Sequence, residues 1–344
     1  MATRAAHNQG WNPSSHGTRA QEQGKRHRED GANRELDITS FGRTIPPADE
    51  DDSDGDDVAI MRRTVLQETV QHIAVHRPMY RELARDNLHR WATRERSPSG
   101  CAGLEVRVLP GDWGDVTLAL TKEFGVTFAV LNMANAYCPG GGYVEGCPAQ
   151  EENMFRRTDC HFSIKRDTLD THEMYQDEMS EILNGERGQV YLDTANPRVC
   201  VRGSEDRSRD DLGYKWLNDD QVFAFYELRA AAQDLRGRRH FIKENARQRI
   251  AAQLDTLTKY GVRHAVLSAF GCGAFANPAD AVAALYRDEI QCRLRDFDVI
   301  AFAIFAPGYG PDNFSPFAEV VRAAFPPKVA RAAFPPSAEL ATAP

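Results

Sequence analysis

The sequence predicts an α/β domain in which helices pack against a mostly central sheet. The first observation behind this prediction is that short apolar segments of strand character alternate with longer segments of helical character. The second is that 344 residues with 42% hydrophobic content are enough for one large core or two modest ones.

Residues 1–57 are predicted to be a disordered tail. They are rich in Gly, Ser, Asn, Arg, Asp and Glu and poor in large apolar residues, so they could not bury enough surface to offset the entropy of ordering. The basic cluster GKRHR at 24–28 is either a nuclear-import signal or part of a solvated tail. The acidic run at 49–57 resembles half a calcium loop, but Met61 stands where the loop's last glutamate is needed, so we interpret it as solvated.

The remaining elements follow from apolar patterning. A helix is predicted over residues 58–96, and Pro78 should break or kink it. Residues 326–344 should form a flexible Pro/Ala-rich tail. The predicted strands are LEVRVL (104–109), VTLAL (116–120), TFAVLNMA (127–134), VYL (190–192), RVCVRG (198–203), VFAFYELRAA (222–231), HAVLSAF (264–270) and DVIAFAIF (298–305), and the predicted helices cover 148–161, 240–260, 278–292 and 313–324.

Composition excludes several classes of function. The net charge of −8 does not suit a broad face that grips nucleic acid, so we expect no direct nucleic-acid binding. No apolar run is long enough for a membrane span, and no signal-peptide core is present at the N-terminus, so we expect no membrane contact. Seven cysteines without a C-x-x-C pair indicate reduced thiols and an intracellular protein, cytoplasmic or nuclear.

Two glycine-rich turns follow two of the predicted strands. The first contains Gly140, Gly141 and Gly142, and such a loop can aim backbone N–H groups at phosphate oxygens. The second, at 271–276, leads into a helix that Asn277 or Asp280 could cap, so it also suits an anion. Residues 271–276 also match the G-x-G-x-x-A dinucleotide fingerprint, but only one strand follows them, which argues against a Rossmann dehydrogenase.

Paired carboxylates follow the first turn. Gln150, Glu151 and Glu152 lie at the start of a predicted helix, where acidic side chains can simply favour the helix dipole. Alternatively, they face a sugar, because carboxylates repel phosphate but accept hydrogen bonds from hydroxyl groups. Burial and mutual repulsion could keep one glutamate protonated, ready to donate to a glycosidic oxygen. The ligand that this chemistry indicates is a sugar joined to a pyrophosphate.

These motifs together resemble a known family. Three glycines, seven residues and then Gln-Glu-Glu resemble the GGG-x(6–8)-QEE signature of poly(ADP-ribose) glycohydrolases, and LNMANAYCPGGG and LSAFGCGAFANP are similar to its microbial branch. The resemblance implies a macrodomain-like three-layer α/β/α sandwich with a mixed central sheet and an added N-terminal helical segment, over residues 58–325. It implies hydrolysis of ribose–ribose bonds in ADP-ribose polymer on modified proteins, without a cofactor, and we expect a monomer.

The resemblance also implies roles for residues around the triplet. Glu152 is implied as the general acid on the ribose–ribose bond and then the general base for water, and Glu151 as the residue that positions a ribose hydroxyl. Gln150 is implied to support the loop, and Asn135 to bond the distal ribose.

Further roles are implied for the two turns. Gly140, Gly141 and Gly142 are expected to surround the diphosphate and ribose. The second diphosphate loop is expected to be formed by Gly271, Gly273, Ala274 and Phe275, with Phe275 over the ligand. No metal is implied, and the sequence has no H-E-x-x-H motif and no Cys/His cluster with ligand spacing.

Alternatives stay open at this point. The same glycine turns would suit a reader that binds ADP-ribose without hydrolysis, or a hydrolase of another ADP-ribosyl linkage. Cys138, Cys147 and Cys272 are expected near the site as small apolar filler. Phe302 and Phe305 on the last strand are expected in the core rather than as adenine-stacking residues.

Overall fold

The structure of the chain is a computed structural model. It describes residues 53–93, 103–164, 169, 174–237, 239–306, 308 and 310–326. The predicted tail up to residue 52 and the end of the chain from residue 327 lie outside the described residues.

Strands and helices alternate along most of the described chain, as the sequence predicted. The strands are β1 (Glu105–Pro110), β2 (Ala129–Met133), β3 (Tyr191–Cys200), β4 (Phe223–Ala230), β5 (His264–Leu267) and β6 (Val299–Ile304). The helices are α1 (Ser53–Ala92), α2 (Trp113–Phe124), α3 (Gln150–Arg157), α4 (Asp177–Leu183), α5 (Lys243–Lys259), α6 (Ala279–Gln291) and α7 (Phe314–Ala324).

The six strands form one mixed sheet in the order β1-β6-β5-β2-β4-β3. Only β3 runs antiparallel to its neighbour; the pairs β1·β6, β5·β6, β2·β5 and β2·β4 are parallel. The parallel strands therefore place their carboxyl ends along one edge of the sheet, where ligands bind in open α/β sheets.

Helices cover both faces of this sheet. Alternate side chains of a strand point to opposite faces, so Leu131 and Phe302 join a core with helices α5, α6 and α7. Their neighbours Val130 and Ala301 join a second core with α1, α2 and α3. The predicted three-layer α/β/α sandwich is confirmed.

Helix α1 differs from its prediction. It begins at Ser53, before the predicted boundary at residue 58, and runs through Pro78 to Ala92. Of the two effects predicted for Pro78, a break or a kink, the break is wrong. Tertiary contacts offset the missing N–H of the proline, because Leu66 and Trp91 are buried in the second core on either side of it.

The predicted strand VTLAL is wrong, because these residues lie in helix α2. The side chain of Asp112 accepts a hydrogen bond from the Gly114 N–H, 2.7 Å away, and caps the helix start. Gly125 ends the helix in the left-handed conformation, with φ of 57°. Between the two caps, Val116 and Leu120 are buried and lie one helical turn apart.

Other differences are smaller. VYL and RVCVRG belong to the single strand β3, whose register with β4 shifts between Asp193 and Arg198. Helix α4 was not predicted from the sequence. The predicted capping of α6 by Asn277 or Asp280 is wrong, because Pro278 is the N-cap residue and no side chain caps the helix.

Candidate active site

A cleft of about 670 Å³ lies at the carboxyl ends of the parallel strands. It is lined by residues that follow β1, β2, β4, β5 and β6, so the sheet topology itself brings them together. The predicted site residues among its lining are Asn135, Gly142, Gln150, Glu151, Glu152, Gly271, Gly273, Ala274 and Phe275. Gly140 and Gly141 are not part of this lining.

Glu151 is held against the end of β2. Its side chain is buried, and Oε2 accepts a hydrogen bond from the Asn135 N–H at 2.7 Å. Its other oxygen, Oε1, is buried without a hydrogen-bond partner among the described residues. Buried carboxylate oxygens are costly to leave unpaired, so this atom is suited to meet a ligand hydroxyl.

Glu152 is held by the first glycine turn in the same way. Oε1 accepts a hydrogen bond from the Gly142 N–H at 2.9 Å, whereas Oε2 is buried without a partner in the described part of the chain. The two glutamates therefore present one unpaired oxygen each in the same cleft. Their neighbouring positions in α3 direct them to different points of the site.

The surroundings of both carboxyl groups favour their protonated forms. Burial raises the pKa of Glu151 well above its ordinary value, and the charge of Glu152 raises it further, against the hydrogen bond from Asn135. Burial also raises the pKa of Glu152, against the hydrogen bond from Gly142. A carboxyl group with a raised pKa can act as a general acid near neutral pH.

Gln150 fixes the start of α3 to strand β2. Its Oε1 accepts from the Met133 N–H at 2.9 Å, and its Nε2 donates to the Leu131 carbonyl oxygen at 2.9 Å. Because this amide is engaged with the backbone, Gln150 supports the two glutamates that follow it. The supporting role implied for Gln150 and its direct contact with a ligand both stay predictions.

The first glycine turn needs glycine for close approach as well as for backbone conformation. Gly140 and Gly141 have φ of 79° and 57°, in the left-handed region. A Cβ atom at Gly141 would overlap Oε1 of Glu152 and lie 3.0 Å from Oε2 of Glu151. The absence of a side chain at Gly141 therefore lets the loop pack directly on the two carboxyl groups.

Helix α1 and the segment after β3 secure the loop between the glycines and α3. Glu205 is nearly buried and accepts hydrogen bonds from Arg62 on α1 and from the Tyr214 hydroxyl. Arg156 donates to that hydroxyl at 2.9 Å and to the Cys147 carbonyl oxygen at 2.8 Å. Burial alone would raise the pKa of Glu205, but the hydrogen bonds from Arg62, Tyr214 and Arg207 outweigh it and hold this pKa at about 2. Glu205 therefore stays ionised and keeps the loop in place.

The second glycine turn is closed by Asn277. Its Nδ2 donates to the carbonyl oxygens of Gly271, at 3.0 Å, and of Gln233, at 2.7 Å. Gly271 has φ of 74°, which favours glycine, and a Cβ at Gly273 would meet no atom within 4 Å. Gly273 therefore leaves space beside the cleft rather than filling a packed position.

The structure adds lining residues that the sequence prediction missed. Among them are Asp112 and Trp113 after β1, Glu205 and Arg207 after β3, Arg236 after β4 and Phe305 after β6. Phe302 is fully buried as expected, but Phe305 is 48% exposed and lines the cleft, so its predicted core position is wrong. The sequence signal for Phe305 was its position directly after an apolar strand, because ligands bind at the carboxyl ends of parallel strands.

The three cysteines expected near the site differ in position. Cys147 and Cys272 line the cleft, whereas Cys138 does not, and its Sγ lies 3.4 Å from the Met174 sulfur. Burial raises the pKa of Cys272 to about 12 and also raises that of Cys147, which disfavours the reactive thiolate at both positions.

The described residues contain neither a metal-ligand cluster nor a membrane-spanning helix. No group of three or more His, Cys, Asp or Glu side chains among them could hold a metal ion. None of the described helices, including the 40-residue α1, combines the length and the apolar character needed to cross a membrane.

Residues 53–194 match the family model of the microbial-type PARG catalytic domain. This range runs from α1 into β3 and includes the first glycine turn and the glutamate pair. No curated protein sequence matches the chain.

Solved structures share the fold. The chain is similar to poly(ADP-ribose) glycohydrolase (PARG) from Thermomonospora curvata, with 21% identity, a TM-score of 0.52 and coverage of 75% of this chain and 98% of the other. The same enzyme bound to the inhibitor ADP-HPD gives 22% identity, a TM-score of 0.50 and the same coverage. The resemblance predicted from the sequence is therefore confirmed: over residues 53–194 this chain matches the microbial-type PARG catalytic domain.

Proposed function

We propose that the protein hydrolyses the ribose–ribose O-glycosidic bonds of poly(ADP-ribose) and releases ADP-ribose. The family match over residues 53–194 supports this reaction. The observation that carries the proposal is the buried pair of glutamates, each with one oxygen tied to a loop N–H and one oxygen unpaired, in a cleft between two glycine turns.

Glu152 acts as the general acid and base. Its Oε1 accepts the Gly142 N–H, so the proton of the neutral carboxyl group belongs on the unpaired Oε2. That proton passes to the oxygen that joins the two riboses as the bond from this oxygen to the anomeric carbon breaks. The Glu152 carboxylate then takes a proton from a water molecule, whose oxygen attacks the anomeric carbon and returns the acid form.

The other site residues bind and orient the substrate. Glu151 accepts a hydrogen bond from a ribose hydroxyl through Oε1, since Oε2 is engaged by Asn135. Asn135 bonds the distal ribose from the end of β2. The glycine turns at 140–142 and 271–275 surround the diphosphate and ribose, and the second turn offers backbone N–H groups to the diphosphate, with Phe275 beside the ligand. The protein would act without a cofactor or metal.

The setting of this activity is also part of the proposal. The substrate is ADP-ribose polymer on modified proteins, and the enzyme acts as an intracellular monomer, cytoplasmic or nuclear, that binds no membrane or nucleic acid directly. The net charge of −8 supports the last point. The catalytic unit is assigned to residues 58–325, between tails at 1–57 and 326–344.

Incubation of the protein with labelled poly(ADP-ribose) tests the activity. Chromatography should show free ADP-ribose as the polymer shortens. The alternative function, a reader that binds ADP-ribose without hydrolysis, predicts heat of ADP-ribose binding in calorimetry together with intact polymer after long incubation. That second pattern, in folded protein, would overturn the hydrolase. Mono-ADP-ribosylated protein as a parallel substrate shows whether another linkage is cleaved instead.

A further inference from the structure

Few positively charged side chains line the described part of the cleft, although its proposed ligand carries a diphosphate. Four carboxyl groups line it, on Asp112, Glu151, Glu152 and Glu205. The positively charged residues among its described lining are two arginines, Arg207 and Arg236. Charge-assisted binding of a diphosphate in the cleft therefore depends on where these guanidinium groups lie.

Arg207 serves the structural cluster behind the loop. Its Nε donates to Oε1 of Glu205 at 2.8 Å, the same oxygen that Arg62 contacts. Glu205 is only 5% exposed, so the charge of Arg207 is paired with a buried carboxylate.

Arg236 lies beside the second glycine turn. Its guanidinium is 5.0 Å from the ring centre of Phe275, close enough for a cation–π contact. The backbone of the same segment is fixed to that turn, because the Leu235 N–H donates to the Phe275 carbonyl oxygen at 3.1 Å. Arg236 is therefore tied to the turn through both its side chain and its neighbouring backbone.

Asp234 orients the same guanidinium. Nε of Arg236 donates to Oδ1 of Asp234 at 2.8 Å, and Nη2 donates to Oδ2 at 2.6 Å. This two-point contact leaves Nη1 without a hydrogen bond among the described residues. The Arg236 side chain is 60% exposed, and an exposed ion pair of this kind adds little to stability, so folding alone does not explain the arrangement.

We propose that Arg236 binds the diphosphate of ADP-ribose through its guanidinium, and that Asp234 and Phe275 hold this group in position beside the second glycine turn. The inference rests on the proposed function, because it takes ADP-ribose as the ligand. Arg236 supplies the positive charge that the backbone N–H groups of the turn lack.

Calorimetry with ADP-ribose and a chemical-shift titration with uncharged adenosine test this assignment. Arg236→Gln should weaken ADP-ribose binding about tenfold, the loss expected for one charge-assisted hydrogen bond, and should leave adenosine binding unchanged. The dependence of ADP-ribose affinity on salt should also become shallower. Asp234→Asn should shift ADP-ribose affinity in the same direction with an unchanged unfolding temperature.

Arg263→Gln is the matched control. Arg263 makes the same two-point contact with Asp298, at 2.9 Å for both hydrogen bonds, and is similarly exposed, but it precedes β5 at the opposite end of the strand from the cleft. The Arg263→Gln variant should bind ADP-ribose with the affinity of the wild type. Wild-type ADP-ribose affinity in Arg236→Gln, or equal losses for ADP-ribose and adenosine, would overturn the assignment alone. Absence of ADP-ribose binding by the wild type would overturn the proposed function as well.

Discussion

Replacing Gly141 with alanine tests how the first glycine turn supports catalysis. The added Cβ would overlap Oε1 of Glu152, lie 3.2 Å from its Cδ and lie 3.0 Å from Oε2 of Glu151. Either the loop or the carboxyl group of Glu152 must move. The Gly142 N–H that holds Glu152 belongs to the next residue, so the displacement also disturbs that hydrogen bond.

The size of the effect has two parts. The left-handed backbone at φ of 57° costs alanine about 1–2 kcal/mol of folding free energy. A displacement of roughly 1 Å at a catalytic group costs on the order of 100-fold in rate. We therefore expect kcat to fall about 100-fold, equivalent to about 2.7 kcal/mol of activation free energy.

Gly261→Ala separates these two parts. Gly261 has φ of 68°, and a Cβ there meets no atom within 4 Å, so this variant has the backbone cost without the contact with Glu152. Denaturant unfolding should show both variants destabilised, whereas initial rates of polymer hydrolysis should show the fall in kcat for Gly141→Ala only. Wild-type kcat in Gly141→Ala, or an equal loss of kcat in Gly261→Ala, would refute the reasoning.

Three further substitutions test the groups behind the site through stability. Glu151→Gln should raise the unfolding temperature at pH 8 but not at pH 4. Because the pKa of Glu151 is raised in the folded protein, its carboxyl group contributes stability below about pH 4.5, and this stability is lost as pH rises through the folded-state pKa. A change in unfolding temperature that is the same at both pH values would contradict this. Gln150→Ala should lower the free energy of unfolding by about 1–3 kcal/mol, measured in urea, because two backbone groups of β2 lose their partners. Glu227→Gln should cost about 3–5 kcal/mol at pH 7, because Arg198 and Arg229 lose a buried counter-ion. Because the pKa of Glu227 is lowered to about 2, ionised Glu227 stabilises the fold fully above about pH 4.5 and loses this effect as pH falls toward 2. The difference in unfolding free energy between the wild type and Glu227→Gln should therefore shrink at low pH, and a constant difference would contradict this role of Glu227.

Much of the site could be predicted because it depends on strand ends. The first glycine turn follows β2 and the second follows β5, and these strands are adjacent and parallel. Parallel neighbours place their carboxyl ends together, so two turns that lie far apart in the chain meet in one cleft. The spacing from the glycines to Glu152 then sets which carboxyl group contacts the turn.

The errors in the fold have local causes. VTLAL has apolar residues close enough together to suit a strand or a buried helix, and the signals that decide are Asp112 and Gly125 at the two ends of α2. Pro78 was expected to break or kink α1, but the helix does not break there, because contacts along its 40 residues outweigh one missing hydrogen bond.

Apart from Phe305, the missed part of the site has no local signal. Arg62 and Glu205 are 143 residues apart, and their contact, which helps fix the loop before α3, exists only once the chain has folded. Arg236 belongs to a segment after β4 without a recognisable motif, and its position follows from hydrogen bonds to the second turn. Such long-range pairs depend on tertiary packing rather than on sequence pattern.

Turnover of poly(ADP-ribose) by Glu152→Gln, compared with its affinity for ADP-ribose, tests the central claim most directly. Glutamine has nearly the same shape and can still accept the Gly142 N–H, but it cannot give up a proton as an acid. We predict a loss of kcat of at least 100-fold with ADP-ribose affinity within about threefold of wild type. Turnover near the wild-type rate would contradict the assignment of Glu152 as the general acid.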